Sequence, residues 1–395
     1  MSIRKPDALL GEYSPERFLR DYWQQRPLLI RNAWPGFSSP ISPEELAGLA
    51  CEEGVTSRLV LEKGGAYPWE MRFGPFAEDE FTSLPETHWS LLVQEVDRLI
   101  PEVADVLQPF RFLPNWRIDD VQISYAPAHG NVGAHVDSYD VFLLQAEGSR
   151  RWQISHEPLG EDEEAFVEDA DVRILKEFSP DEEWVVEPGD LLYLPPRVPH
   201  YGVALERCMT YSIGFRAPSQ AELLQAAGAS TEDLIPQDAR YQDPAPPPRS
   251  HAGEITAAER EELRTLLRTA LASDERLDKW LGTYLTRPTR GSAPPLPEER
   301  VLPSHIVNAV RNGGRIRRSA VAHFSHISHD DGRVTLFVCG RSYDLTGEAA
   351  EMARVLTSAD RLDSESLGPF LDRGQLVLFL VDLANEGYLY LDQSE

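Results

Sequence analysis

Between Asp120 and Phe215 the chain breaks into short runs of β-branched and aromatic residues punctuated by turn formers, a rhythm that excludes most fold classes. The runs are VQISYA (121–126), HVDSYDVFLLQ (135–145), RRWQIS (150–155), WVVEP (184–188), DLLYLP (190–195), HYGVAL (200–205) and MTYSIGF (209–215). Many short, closely spaced strands close as an antiparallel sandwich or a small barrel.

On either side the texture is more helical. Ser14 caps a helix with Pro15 at its first position and Phe18, Leu19, Tyr22 and Trp23 on one face. PLLIRNAW (27–34) reads as a buried strand. Ser42 and Glu45 form a capping box, residues 58–73 a hairpin and residues 88–107 a helix. Beyond Pro218, residues 219–240 predict short helices, followed by the stiff linker DPAPPP (243–248). Thr256 and Glu259 open a helix with Leu263, Leu266, Leu267 and Leu271 on one side; Leu277, Trp280, Leu281, Tyr284 and Leu285 make a second stripe. After a second linker, RPTRGSAPPLPEE (287–299), the order is helix (304–312), strands (315–328 and 333–345), helices (347–358 and 364–372), an apolar helix and a terminal strand. The expectation is a mainly β domain over 1–218, a helical dimerisation domain over 219–290 and a winged-helix-like α+β domain over 291–395.

Chemistry points to His135 and Asp137. On a strand, residues two apart face the same way, so an imidazole and a carboxylate converge. His200, from a distant strand, completes two histidines and one carboxylate, the ligand set of non-haem iron(II) oxygenases. A lone His-x-Asp is weak, since about one arises by chance in a chain of this composition. His329-Asp330-Asp331 is such a case, with no later histidine to complete it. His135 differs in context. Gly130 and Gly133 precede it, and Glu187-Pro188-Gly189-Asp190 opens a strand whose proline-stiffened end, Pro195, Pro196 and Pro199, would hold His200.

GAHVDSYDVFLLQAEGSRRWQI (133–154) and EPGDLLYLPPRVPH (187–200) resemble the JmjC-type cupin oxygenases, and most of all the bacterial ribosomal oxygenases. FLRDYWQQRPLLIRNA (18–33) is similar to the family's amino-terminal segment, and the three-part layout matches too. The resemblance implies a double-stranded β-helix, Fe(II), and 2-oxoglutarate and O₂ as co-substrates. It also implies a homodimer and hydroxylation of an arginine in the sixteenth protein of the large ribosomal subunit. The far carboxylate of 2-oxoglutarate needs a cation inside the barrel. Arg150, Trp152 and Ile154 share one strand face and Arg151 takes the other; Arg150 lies fifteen residues after His135, where the family places its basic anchor. An arginine can grip that carboxylate bidentately.

Asp120, Gln122 and Ser124 share a polar face that would line a pocket. In the family-like reading Ser124 donates to the co-substrate, Asp120 pairs with a substrate guanidinium at the mouth, Tyr139 stacks on it and Ser212 adds a hydrogen bond. Gln122 departs from the apolar residue expected in close relatives.

The formal net charge is −27, and residues 157–187 hold 13 acidic side chains against Arg173 and Lys176. This favours a basic partner, such as a ribosomal protein, and disfavours nucleic acid. Residues 298–395, with 10 Arg, no Lys and 15 acidic residues, give no reason to expect nucleic-acid binding there. No apolar run approaches the ~18 residues of a membrane span. The opening MSIRKPDALLGEYSPERF lacks a signal-peptide core, so a cytoplasmic location is expected. Cys51, Cys208 and Cys339 are scattered and form no disulfide framework or zinc set, with Cys208 read as a core residue. His323, His326 and His329 do not keep one strand face and read as ordinary histidines. The open alternatives are a histidine hydroxylase of a ribosomal protein, a more remote lysine demethylase, a zinc cupin isomerase and a non-catalytic cupin scaffold.

Overall fold

The short β-prone runs pair into two facing antiparallel sheets. The computed structural model describes residues 5–6, 8–62, 69–160, 164–168, 170, 172–230, 234, 240–241, 253–288 and 294–392, and it divides into two units, Met1–Ala217 and Pro218–Glu395. In the first unit the strands are β1 (Leu28–Ile30), β2 (Ser57–Glu62), β3 (Trp69–Phe73), β4 (Trp89–Val93), β5 (Ile118–Ala126), β6 (Asp140–Glu147), β7 (Arg150–Ile154), β8 (Glu182–Val186), β9 (Leu191–Leu194), β10 (His200–Ala204) and β11 (Cys208–Phe215). They form an eight-stranded sheet, β1-β9-β6-β11-β5-β4-β2-β3, and a three-stranded sheet, β10-β7-β8. This is the two-sheet cupin arrangement that the resemblance implies.

Strand alternation decides which side chains enter the pocket. Val121 and Ile123 on β5 and Tyr211, Ile213 and Phe215 on β11 join Phe18 and Phe110 in the outer core. Their alternates, Gln122 and Ser124 opposite Ser212 and Thr210, face the interior. Between the sheets, Val141, Leu143, Leu192 and Leu194 pack against Trp152, Ile154 and Val186. Asp140, fully buried at the start of β6, accepts from Gln24 Nε2 at 3.0 Å, Arg117 Nη2 at 2.8 Å and Tyr193 Oη at 2.6 Å. That network satisfies its charge and ties the amino-terminal segment to the sheet.

Three expectations for the first unit need correction. Residues 88–107 do not form one helix: WSLLV is β4, buried between β2 and β5, and only short helical turns follow. A continuous apolar run reads equally as a strand or a buried helix. The segment 135–145 is not one strand, because β6 begins at Asp140 and His135 makes only an isolated bridge. The first helix, Pro15–Asp21, ends early, so Phe18 is buried while Leu19 is exposed.

In the second unit, the helix Ala257–Ala270 has its Thr256–Glu259 capping box but buries none of its residues. The helix Asp274–Thr286 buries Trp280 and packs Gly282 on Phe337, where a Cβ would lie 2.3 Å from the ring. The expected strands 315–328 and 333–345 each divide in two. β12 (Arg315–Arg318), β13 (Phe324–Ser328), β14 (Val334–Val338), β15 (Arg341–Leu345), β16 (Arg361–Leu362) and β17 (Leu389–Asp392) make two three-stranded sheets, β13-β14-β15 and β16-β12-β17. The helices Pro303–Arg311, Glu348–Ser358 and Gly374–Asn385 close a core including Ile306, Leu336, Met352 and Leu380. The linker 243–248 and residues 289–293 of the second linker lie outside the described residues. No described helix is long and apolar enough to cross a membrane.

Candidate metal centre and pocket

His135 and His200 are register partners. Each backbone N–H donates to the other's carbonyl at 3.0 Å, and their rings lie 4.2 Å apart, centre to centre. The bridge does what a continuous strand was expected to do: it aims two imidazoles at one point. Asp137 is carried in the irregular stretch after it, its carbonyl accepting from the Arg197 N–H at 2.6 Å. The ligand atoms of His135, Asp137 and His200 all lie within 4.8 Å of one another, and His200 Nε2 is 3.6 Å from Asp137 Oδ2. His135 Nδ1 is bonded to the Gly133 carbonyl and His200 Nδ1 to the Val198 carbonyl, both at 2.9 Å. Those bonds assign the proton to Nδ1 and leave both Nε2 lone pairs for a metal. Burial, reinforced by His135 and opposed by Asp137, pushes the His200 pKa down to about 4. A neutral imidazole is the ligating form, so the donor set fits one Fe(II) ion.

Arg150 lies between the sheets with 4% exposure, whereas Arg151 points outward. Its Nη2 sits 3.6 Å from the Cys208 sulfur on β11, and its Nε has no hydrogen-bond partner. A buried guanidinium this poorly satisfied calls for an anion. On the adjoining strands Ser124 Oγ donates to the Thr210 carbonyl at 3.4 Å, and Thr210 Oγ1 donates to the fully buried Gln145 at 3.0 Å. Trp152 stands between Arg150 and His200, its ring centre 5.8 Å from that of His200. Gly202 leaves room for that ring, since a Cβ would lie 2.6 Å from it. Gln145 and Thr210 were not singled out from sequence, although alternation along β11 carried the signal, and Trp152 was read only as sharing the face of Arg150.

At the other end of the same sheet face, Gln122 sits opposite Ser212. Asp120 is buried and its Oδ2 accepts from the Glu95 N–H at 2.9 Å. Gly214 opens a space between Asp120 and Tyr139: a Cβ there would lie 3.6 Å from Asp120 Oδ1 and 3.9 Å from the Tyr139 ring. Tyr139 is 41% exposed, and the neighbouring Asp137, with burial and Asp120, raises its pKa. Arg216 pairs with Asp119 at 3.3 Å. Beneath them Asp97 is buried and accepts from the Val121 N–H at 2.8 Å; burial raises its pKa to about 7. Sequence reasoning missed Arg58, whose Nη2 donates to Gln122 Oε1 at 3.4 Å, as well as Arg216 and Asp97.

The acidic segment packs beside the candidate metal ligands. The Leu175 N–H donates to the Ala134 carbonyl at 2.8 Å, and Ile174 covers Gly133, whose φ of +81° suits glycine. Glu164 pairs with Arg173 at 3.0 Å and Arg197 at 2.7 Å. Glu161, Asp162, Glu163, Asp169 and Asp171 lie outside the described residues.

Comparison with known proteins gives concordant matches to both units. Residues 105–223 match the JmjC domain model and residues 264–390 the ROXA-like winged helix model. The chain is 35% identical over 375 residues to the ribosomal protein uL16 3-hydroxylase of Escherichia coli, covering 95% of this chain and 97% of that protein. It is 41% identical over 227 residues to a probable ribosomal oxygenase of Haemophilus influenzae, covering 56% of this chain and 55% of the relative. Among solved structures it is similar to the E. coli ribosomal oxygenase YcfD in complex with cobalt and 2-oxoglutarate. That match has a TM-score of 0.83 and 32% identity, and covers 96% of this chain and 99% of that one.

Proposed function

The chain belongs to the JmjC ribosomal oxygenases, which are Fe(II)- and 2-oxoglutarate-dependent, and from that premise we propose that it hydroxylates an arginine side chain of the sixteenth protein of the large ribosomal subunit. The observation that carries this reading is the convergence of His135, Asp137 and His200 in the same unit as a buried, under-bonded Arg150. His135, Asp137 and His200 would hold the metal; Arg150 and Ser124 would hold 2-oxoglutarate. When bound, metal and co-substrate supply the dioxygen activation needed to oxidise an unactivated carbon–hydrogen bond. The chain's own residues position and exclude. Burial of Trp152, Val141, Leu143 and Ile154 keeps water from the interior. Asp120 offers a carboxylate to the target's guanidinium, Tyr139 a ring face beside it, and Gln122 and Ser212 polar contacts along the wall.

The E. coli relative is named for action on a ribosomal protein, and an acidic surface suits a basic partner of that kind. The reading includes three domains, 1–218, 219–290 and 291–395, a homodimer made through the middle one, and a cytoplasmic location. The exposed leucines of the helix Ala257–Ala270 support the dimer.

A histidine target is the competing reading, favoured by the neutral pair Gln122 and Ser212 facing each other in register. One experiment decides between them. The protein is incubated in air with Fe(II), 2-oxoglutarate and fragments of ribosomal proteins, and products are sequenced by mass spectrometry. An added oxygen on an arginine, lost in His135→Ala, is expected; an added oxygen on histidine alone would replace the arginine assignment. No product and no 2-oxoglutarate turnover under any condition would sink the reading altogether.

A further inference from the structure

Arg58 brings a cation to the interior-facing side of the large sheet that no part of the proposed reaction uses. It lies opposite Leu92 on β4, which lies opposite Ser124 on β5, so the three share one face of the sheet. Its Nη2 reaches Gln122 Oε1 at 3.4 Å, the long end of the N–H···O range. A guanidinium has five donors, so most remain available for acceptors from a ligand. Gln122, with its Oε1 turned to Arg58, presents its amide N–H₂ group away from it. Two residues along the same face stands Asp120, which with Tyr139 borders the space left open by Gly214. The mouth is therefore polarised along β5: donors and positive charge at Arg58 and Gln122, and at the other end the carboxylates Asp120 and Asp119 with Arg216 beside them.

A peptide entering this mouth carries two kinds of group. Its main chain offers carbonyl acceptors, whereas a cationic side chain offers only donors. Arg58 attracts the first and repels the second. We propose that Arg58 is a specificity-determining residue: its guanidinium binds a main-chain carbonyl oxygen of the substrate beside Gln122 and turns the cationic end of the target side chain toward Asp120. The proposal rests on the reading of this chain as a protein hydroxylase.

Steady-state kinetics on the full chain with ribosomal protein fragments tests it. Arg58→Met raises the KM for the peptide roughly 10- to 100-fold, the loss expected for a charge-assisted hydrogen bond. kcat stays within about threefold, as for a contact made equally in ground and transition states. The KM for 2-oxoglutarate shifts by less than about twofold, because Arg150 and Ser124 are untouched. Arg58→Lys, which keeps the charge and a donor, recovers most of the loss. An unchanged peptide KM in Arg58→Met overturns the proposal, as does an equal rise in the KM for 2-oxoglutarate, which would mean general damage to the pocket. In both cases an active wild type leaves the hydroxylase reading standing. A wild type that oxidises no fragment removes the hydroxylase reading, and this proposal with it.

Discussion

Burying the guanidinium of Arg150 sets stability against its proposed binding of the co-substrate. The side chain is 4% exposed, its Nε has no partner, and the Cys208 sulfur is a poor acceptor. Replacing buried ionic groups by well-packed apolar side chains of similar volume is often neutral or stabilising, by ~1–4 kcal/mol for an ion pair. The same charge is worth ~1.5–3 kcal/mol when a carboxylate arrives to meet it. Arg150→Met should therefore move two measurements in opposite senses. The melting temperature without 2-oxoglutarate rises by several degrees, about 2–4 °C per kcal/mol for a chain unit of this size. The KM for 2-oxoglutarate rises roughly 10- to 100-fold. A fall in melting temperature would mean that the guanidinium is structurally satisfied in the free protein. The position was legible in sequence because strand alternation separates Arg150 from Arg151 and the family resemblance places a basic anchor fifteen residues after His135; the missing partner was not, since satisfaction depends on which side chains the opposing strand supplies.

At the scale of elements, legibility followed local signals. Capping boxes at Ser42 and Thr256, the Pro15 helix start and the hairpin pairing β2 with β3 could all be read from neighbours in sequence. The segment 88–107 could not. WSLLV becomes a strand because β2 and β5 lie on either side of it, which is a long-range fact. The turns after it place Asp97 under β5, buried against the Val121 N–H and close enough to Asp120 for the two charges to interact. Burial raises this carboxyl to about 7, helped by Asp120 and opposed by the Val121 N–H and by Arg98. A folded pKa above the unfolded one means that the acid form is favoured by folding. The contribution is complete below about pH 4 and is lost as pH rises through about 7. Above that pH the fold holds a buried carboxylate. Asp97→Asn keeps an acceptor for Val121 and cannot ionise. Its melting temperature should exceed that of the wild type at pH 8 by a few degrees, with the gap narrowing as pH falls through about 7 and closing near pH 4. A gap that is constant with pH would show that Asp97 ionises in the fold as it does in water.

For the molecule as a whole, one net charge acts on two proposed associations in opposite ways. The net charge of −27 repels a second copy and attracts a basic substrate. The dimer would form on apolar contacts: Leu267 in the helix Ala257–Ala270 is 73% exposed, with Leu263 and Leu271 exposed beside it, and no residue of that helix is buried within the chain. Apolar burial is little affected by modest salt, whereas like-charge repulsion is screened beyond ~8 Å at physiological ionic strength. Adding salt should thus tighten self-association. The proposed basic substrate would instead meet the acidic segment beside the candidate metal ligands, including Glu182 and Glu183 on β8, and screening should weaken that encounter. Sedimentation from 0.05 to 0.5 M salt is expected to show a growing dimer fraction at fixed low protein concentration, while the peptide KM climbs over the same range. Leu267→Glu should give a monomer whose peptide KM keeps the wild-type salt slope. Glu182→Gln with Glu183→Gln should flatten that slope without changing the dimer. If both associations weakened together with salt, the apolar face would not be the dimer contact, and a polar surface would have to hold the two copies.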